Sequence, residues 1–151
     1  MKKYPLYVVY EEDCAEVIED TYGDDGPYAG FTHDRYDYEV TGVYSTKPDS
    51  TVYYEERVLD SKNQPEEVYV VIVRYSTGST FGHSDGRGHI VGVYESEEKA
   101  KEVSEKINTG KFKGKYGYTP WTGYFERLEG VEIDCFDIKE KEGKARKKFS
   151  R

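Results

Sequence analysis

The residues best suited to chemistry lie in a glycine-rich stretch, residues 77–88, which holds four glycines, several hydroxyl groups, a histidine and an arginine. Glycines let backbone N–H groups turn towards one concavity, and such concavities bind anions. An arginine suits bidentate contact with a phosphate. The stretch therefore indicates an anion or nucleotide pocket, with Trp121 or Tyr124 stacking on the base. Its candidate ligand-binding residues are Thr77, Ser79, Thr80, His83, Arg87, Trp121 and Tyr124.

The same stretch also has a purely structural interpretation. A long hairpin connection uses glycines simply to supply positive φ angles. The stretch is not a Walker loop, because no Gly-Lys-Ser/Thr closes it, and no GxGxxG pattern opens a helix here. The sequence leaves both interpretations open.

Hydrolytic chemistry is the weakest hypothesis for this stretch. His83, Asp85 and His89 are spaced so that they could converge on a metal, and His83 with Ser79 or Ser84 has the residue types of a base and a nucleophile. A catalytic triad needs a nucleophile elbow or an oxyanion hole. Gly82-His83-Ser84-Asp85-Gly86 has GxSxG spacing, but it lies between two predicted strands rather than on the strand-to-helix turn that a nucleophile elbow requires. A metal site needs further ligands and a second shell of supporting groups. We therefore expect no catalytic residue, no metal and no cofactor, and a non-enzymatic role is favoured.

Charge is distributed unevenly along a chain whose net charge is -8. Residues 11–39 contain eleven acidic residues against Arg35 alone, a net of -10, whereas residues 139–151 contain seven basic and two acidic residues, a net of +5. Such an acidic region is either a solvated face or a surface that imitates nucleic-acid phosphates towards a basic protein groove. It disfavours direct nucleic-acid binding. The candidate partner-binding residues are Glu16, Glu19, Asp20, Asp24, Asp25, Asp34, Tyr36 and Asp37.

The elements that must position these residues form one α+β domain, residues 1–138, followed by a basic and flexible tail, residues 139–151. We predict a mostly antiparallel sheet of about five to seven strands, with one or two helices packed on it. The apolar run at residues 68–75 predicts a central strand covered on both faces. Strands are predicted at residues 4–10, 36–44, 51–59, 68–75, 89–94 and 131–138, and helices at residues 13–22 and 96–107.

Composition narrows the class of protein further. The chain has 16 tyrosines, which build a core and also favour binding surfaces. Cys14 and Cys135 lie far apart in no CxxC pattern, so they predict reduced thiols rather than a disulfide framework or a zinc site. No apolar run approaches the length of about 20 residues that spans a membrane. We expect a cytoplasmic protein, and the sequence leaves its oligomeric state open.

Two segments carry a resemblance to a protein family. The motif Thr77-Gly78-Ser79-Thr80-Phe81-Gly82, followed by a strand and a helix opening at Ser96, resembles a pattern in small, mostly uncharacterised bacteriophage proteins. The segment Trp121-Thr122-Gly123-Tyr124-Phe125-Glu126-Arg127-Leu128 resembles a second part of the same pattern. The resemblance implies an accessory protein made by a phage and acting in the cytoplasm of the infected bacterium.

Together these observations favour a phage accessory protein that binds and inhibits a host defence protein. Its acidic, tyrosine-bearing region would face the basic nucleic-acid channel of that protein. The alternative is a sponge that sequesters a small phosphorylated or nucleotide signal in the glycine-rich stretch, with Arg87 on the phosphate. A small hydrolase is a weaker alternative.

Overall fold

The structure, a computed structural model, describes residues 1–19, 31–49, 51–79, 82–108 and 127–140. This part of the chain forms six strands and one helix. In chain order the elements are β1 (Lys2–Glu19), β2 (Phe31–Tyr44), β3 (Tyr53–Ser61), β4 (Glu67–Ser79), β5 (Gly82–Tyr94), α1 (Glu97–Asn108) and β6 (Arg127–Lys139).

The six strands form a single sheet in the order β3-β1-β2-β5-β4-β6. Four pairings are antiparallel: β1 with β2 and β3, and β4 with β5 and β6. β2 also pairs in parallel with β5 at Asp34 and Arg35, and with β6 at Val43 and Tyr44. Because β2 contacts both outer strands of the β5-β4-β6 half, the sheet nearly closes on itself. The architecture is therefore dominated by the sheet, which is mostly antiparallel as predicted.

The core lies on both sides of β4. Val68, Val70 and Ile72 face a cluster shared with β1, β2, β3 and β5, and all three are fully buried. Val71 and Val73 face a second cluster under α1, to which Ala100 and Ile107 contribute. The prediction of a central strand covered on both faces is confirmed, since alternate residues of β4 enter two different apolar clusters.

The helix begins where its sequence signals indicated. The Ser96 hydroxyl accepts a hydrogen bond from the Lys99 backbone N–H at 3.2 Å, and Glu97 and Glu98 occupy the first turn. An N-cap oxygen and early acidic residues both stabilise the positive end of a helix. The apolar side of the helix packs against β4, β5 and β6. It is the only helix among the described residues, and it is not long and apolar enough to cross a membrane.

The predicted helix at residues 13–22 is wrong. β1 continues without interruption to Glu19 and pairs with β2 as far back as Phe31. Asp13 and Glu16 satisfy the pattern of a helix cap, but that pattern is worth little against a continuous ladder of backbone hydrogen bonds to a neighbouring strand. The acidic region therefore begins on a long antiparallel hairpin.

The glycine-rich stretch is also more regular than a loop. β4 runs on to Ser79 and β5 starts at Gly82, with Thr77 opposite Ser84 and Gly78 opposite His83. Residues 80 and 81, which connect the two strands in sequence, lie outside the described residues. This geometry matches the hairpin interpretation of the stretch, and the predicted antiparallel pairing of its two flanking strands is confirmed.

Candidate functional site

One face of the β1–β2 hairpin carries a patch of carboxylates that we call the acidic face: Glu11, Asp13, Asp37 and Glu39. In the strand register Glu11 lies opposite Glu39, and Asp13 lies opposite Asp37. All four residues are exposed. Alternate residues of a strand point to the same side, so the two pairs share one surface.

Like charges directly opposite each other destabilise an antiparallel pair. The acidic face holds two such pairs in succession, and further along the hairpin Glu16 lies opposite Asp34 in the register. Arg35 is exposed on the same side as the acidic face, but it lies opposite Ala15 rather than a carboxylate. Carboxylates thus face each other at two alternate register positions of the hairpin.

The opposite face of the hairpin rests on β5 and β4 through two arginine–tyrosine contacts. The Arg87 guanidinium carbon lies 4.5 Å from the centroid of the Tyr36 ring and 5.9 Å from that of Tyr75. Arg87 Nε also donates a hydrogen bond to the Tyr75 hydroxyl at 3.3 Å. The hydrogen bond between Tyr36 and the Cys14 thiol raises the pKa of Tyr36, and the nearby Arg87 opposes that rise. Arg87 thus links the hairpin to β4.

Arg74 makes the second contact. Its guanidinium carbon lies 5.5 Å from the centroid of the Tyr38 ring, and Nη1 donates to the Tyr38 carbonyl. Nε and Nη2 donate to the two carboxylate oxygens of Glu132 at 2.8 and 3.2 Å. This bidentate pair fixes the guanidinium plane, and so it fixes where β2 lies relative to β4 and β6.

Glycines of β5 make this close approach of β2 sterically feasible. Gly86 has a φ of 76°, and a Cβ at this position would lie 2.1 Å from the Tyr36 carbonyl oxygen. A Cβ on Gly88 would lie 2.1 Å from Cδ1 of Tyr38. Two glycines of the predicted pocket therefore make room for the tyrosines of the acidic hairpin.

Tyr38 is buried among other aromatic rings. Its ring lies 4.9 Å from the Tyr10 ring, which stacks in turn on Tyr53 at 5.6 Å. Burial raises the pKa of Tyr38, and the neighbouring Glu55 raises it further, so the hydroxyl stays protonated. That hydroxyl is buried and makes no hydrogen bond within the described part of the chain.

The negative potential of β2 continues onto β6. Burial raises the pKa of Asp134, with further contributions from Glu132 and Glu39 that Arg74 opposes. Asp134 lies on β6, the last strand. Its proximity to Glu39 follows from the parallel contact between β2 and β6, which no local sequence pattern signals.

Among the predicted partner-binding residues, Tyr36 and Asp37 lie on β2 with described side chains. Glu16 and Glu19 lie on β1 and Asp34 lies on β2, while Asp20, Asp24 and Asp25 are outside the described residues. Asp37 belongs to the acidic face, and Tyr36 points to the other side. Sequence reasoning placed Glu11, Asp13 and Glu39 in the acidic region but did not select them, because their facing pairs depend on the hairpin register.

The predicted ligand-binding residues are only partly brought together. Thr77 and Ser79 lie on β4, and His83 and Arg87 lie on β5. Thr80, Trp121 and Tyr124 lie outside the described residues. Of this set, Arg87 has the defined environment given above, between Tyr36 and Tyr75.

The arrangement presents four exposed carboxylates on one side of the hairpin. Within the residues that the structure describes, no group of three or more His, Cys, Asp and Glu side chains is placed to hold a metal ion. Comparison of the chain with protein-family models, with curated proteins and with solved structures finds no match.

Proposed function

We propose that this protein is an accessory binding protein that inhibits a host defence protein, such as a nuclease, by offering the acidic face in place of nucleic-acid phosphates. The observation that carries this proposal is the two pairs of facing carboxylates, Glu11 with Glu39 and Asp13 with Asp37, on one exposed surface. A phage origin, implied by the resemblance of the motif at residues 77–82, is part of the same proposal.

Electrostatics support a basic partner. Four carboxylates held on two adjacent strands give a dense negative field, which steers a positively charged groove towards the hairpin. Because the partner's cations would relieve the repulsion within the two pairs, part of the binding energy comes from this protein itself. Surface charges separated by more than about 10 Å are screened at 0.1 M salt. The affinity should therefore fall steeply with ionic strength.

Contacts on the inner side of the hairpin support the same function. Arg87 and Arg74 hold this side against β4, β5 and β6, and these contacts fix the position of the acidic face on the outer side. Preorganisation lowers the entropic cost of binding. A phosphate mimic gains from it because the spacing of its charges is set before the encounter.

The test is a fourfold amide variant of the acidic face: Glu11→Gln, Asp13→Asn, Asp37→Asn and Glu39→Gln. Wild type and variant are immobilised, and host proteins are captured at about 50 mM and about 500 mM NaCl. Proteins retained by wild type at low salt are then assayed for nuclease activity with and without the soluble protein. We expect wild type to inhibit the captured nuclease in competition with DNA, and the variant to lose inhibition.

A matched control removes the same number of charges elsewhere. Glu97, Glu98, Glu102 and Glu105 are exposed on α1, and their conversion to glutamine changes net charge equally. This control should inhibit as well as wild type does. Full inhibition by the acidic-face variant, or equal loss in both variants, would show that the acidic face is not the binding surface.

A second candidate function rests on Arg87. A guanidinium oriented by two tyrosine rings and one hydroxyl resembles an arginine prepared for an anion, which suits a sponge for a small phosphorylated ligand. Thermal stability would then rise with added nucleotide, because a ligand that binds only the folded state stabilises it. Arg87→Lys keeps the charge but loses the fork, and it should abolish that rise. A flat response of wild type across nucleotides and cyclic nucleotides would eliminate this candidate.

A further inference from the structure

A cavity of about 610 Å³ lies beside α1, and we call it the helix cavity. Its walls come from β3, from β5 with the residue that follows it, and from α1: Arg57 to Asp60, His89 to Glu95, and Lys99, Glu102 and Val103. Small-molecule sites typically have volumes of about 300–1,000 Å³. The walls combine charged and apolar side chains, so a matching ligand carries both kinds of group.

Most of the charged side chains in the walls are compensated within the protein. Three of them form ion pairs: Arg57 with Glu55 at 2.9 Å, Asp60 with Lys3 at 2.9 Å, and Glu102 with Lys106 at 3.3 Å. Burial lowers the pKa of His89, which favours its neutral form. A ligand of the helix cavity therefore has few charges left to meet.

Lys99 and Glu95 provide those charges. Neither side chain forms an ion pair among the residues that the structure describes. The Ser61 hydroxyl donates to Glu95 Oε2 at 2.6 Å, which positions this carboxylate at the end of β3. Lys3 lowers the pKa of Asp60 through a hydrogen bond, and Lys99 lowers that pKa further, so Lys99 lies near the same end of β3. One end of the helix cavity thus holds an ammonium and a carboxylate that can each pair with a ligand.

Accessible apolar side chains lie farther along the same walls. Val58 points to the same side of β3 as Asp60, two residues away, and is 51% exposed. Val103 lies one turn after Lys99 on the same side of α1 and is half-buried. Both valines line the helix cavity. On each wall the apolar contact is therefore displaced from the charged end.

We propose that the helix cavity binds a free α-amino acid with an apolar side chain. The carboxylate of the ligand pairs with Lys99 Nζ, its ammonium pairs with the Glu95 carboxylate, and its side chain packs between Val58 and Val103. A zwitterion matches one cation and one anion while adding no net charge to the cavity. This site is separate from the acidic face and does not depend on the function proposed for it.

The probes are L-leucine and L-phenylalanine, titrated into ¹⁵N-labelled protein at about pH 6.5, where the α-amino group is charged. We expect saturable chemical-shift changes at the backbone amides of residues 58–60, 91–95 and 99–103, with a dissociation constant of about 1 mM or tighter for at least one probe. The amide derivative of that probe lacks the carboxylate, and its N-acetyl derivative lacks the ammonium. Each derivative should bind at least about tenfold more weakly.

Variants with matched controls test the two charged side chains. Lys99→Met and Glu95→Gln remove one charge each with little change in size, and each should weaken binding at least about tenfold. Lys101→Met and Glu105→Gln remove the same charges from exposed positions of α1 outside the walls, and both should bind as wild type does. Amide spectra that are unchanged away from the cavity show that each variant is folded.

Three results would overturn the proposal: no saturable shifts with either amino acid, binding of one derivative as tight as that of its parent, or equal weakening by the control variants. Tight binding of the amide derivative would indicate a site for a peptide N-terminus, and tight binding of the N-acetyl derivative would indicate a site for a peptide C-terminus. The comparison of derivatives needs no protein variant, so it decides the question even if a variant fails to fold.

Discussion

Removing one carboxylate from each facing pair of the acidic face should stabilise the protein. The double variant Asp37→Asn, Glu39→Gln leaves Asp13 and Glu11 opposite neutral amides of the same shape. Two unit charges at roughly 6 Å in water repel by about 0.7 kcal/mol. Measured cross-strand pairs span about 0.2–1 kcal/mol. Two pairs relieved together therefore predict a gain of about 1 kcal/mol in the free energy of unfolding at low salt.

The assay is urea denaturation followed by circular dichroism, at about 20 mM and about 500 mM NaCl. Stability is read from the transition midpoint, and an unchanged slope shows that the unfolded state is the same in both proteins. Because exposed charges are screened at high salt, the gain should shrink to a small fraction of its low-salt value. The control, Glu56→Gln with Glu105→Gln, removes the same net charge from exposed positions of β3 and α1.

A gain in the control equal to that of the double variant would refute the reasoning, since it would trace the effect to net charge alone. A gain that persists at high salt would also refute it, because a packing change rather than repulsion would then be responsible. If the reasoning holds, the variant that gains stability should be the one that loses affinity for a basic partner. Opposite signs for stability and binding are typical of a functional site.

Three further predictions concern the contacts that support the acidic face. Tyr38→Phe removes a buried hydroxyl without a hydrogen-bond partner in the described residues, so it should raise the free energy of unfolding by about 1 kcal/mol, measured by urea denaturation. Gly88→Ala places a methyl group 2.1 Å from Cδ1 of Tyr38 and should lower the free energy of unfolding by about 1–3 kcal/mol. Burial raises the pKa of Asp134 above the usual 3.8, so the folded state holds the proton more tightly than the unfolded state does. The free energy of unfolding of wild type should therefore decline as pH rises from the unfolded-state pKa through the folded-state pKa of Asp134. Asp134→Asn should abolish that decline in urea midpoints taken between about pH 4 and pH 7, and an unchanged pH profile would contradict the assignment.

Local patterns in the sequence were sufficient for the centre of the fold. The mostly apolar run at residues 68–75 became part of β4, and the Ser96 cap with its acidic first turn became the start of α1. These signals are local in sequence, because a strand buried on both faces and a helix cap are each indicated by the types of a few consecutive residues. The predicted helix after Asp13 failed for the converse reason. Its true partner, β2, is remote in sequence.

The candidate site was visible in the sequence only as composition. Eleven acidic residues between Glu11 and Glu39 gave the sign of the surface, but facing pairs are a property of strand register. A register shift of one residue would move every side chain to the other side of the hairpin. The register shift between Val9 and Tyr10 helps to set which residues face each other, and the sequence analysis did not predict it. The position of Asp134 on β6, close to Glu39 of β2, depends on the near closure of the sheet, so it could not be predicted from the sequence either.

The glycine-rich stretch and the acidic tyrosine-rich region, which look unrelated in the sequence, are two sides of one contact. Gly86 and Gly88 lack the side chains that would collide with Tyr36 and Tyr38, and Arg87 between them stacks on Tyr36. If the glycines served only a ligand pocket, alanine at position 88 would leave the acidic face unaffected. Since the contact is with β2, the same alanine should weaken both the fold and binding through the acidic face. Thus a substitution in one region of the sequence reports on the function of the other.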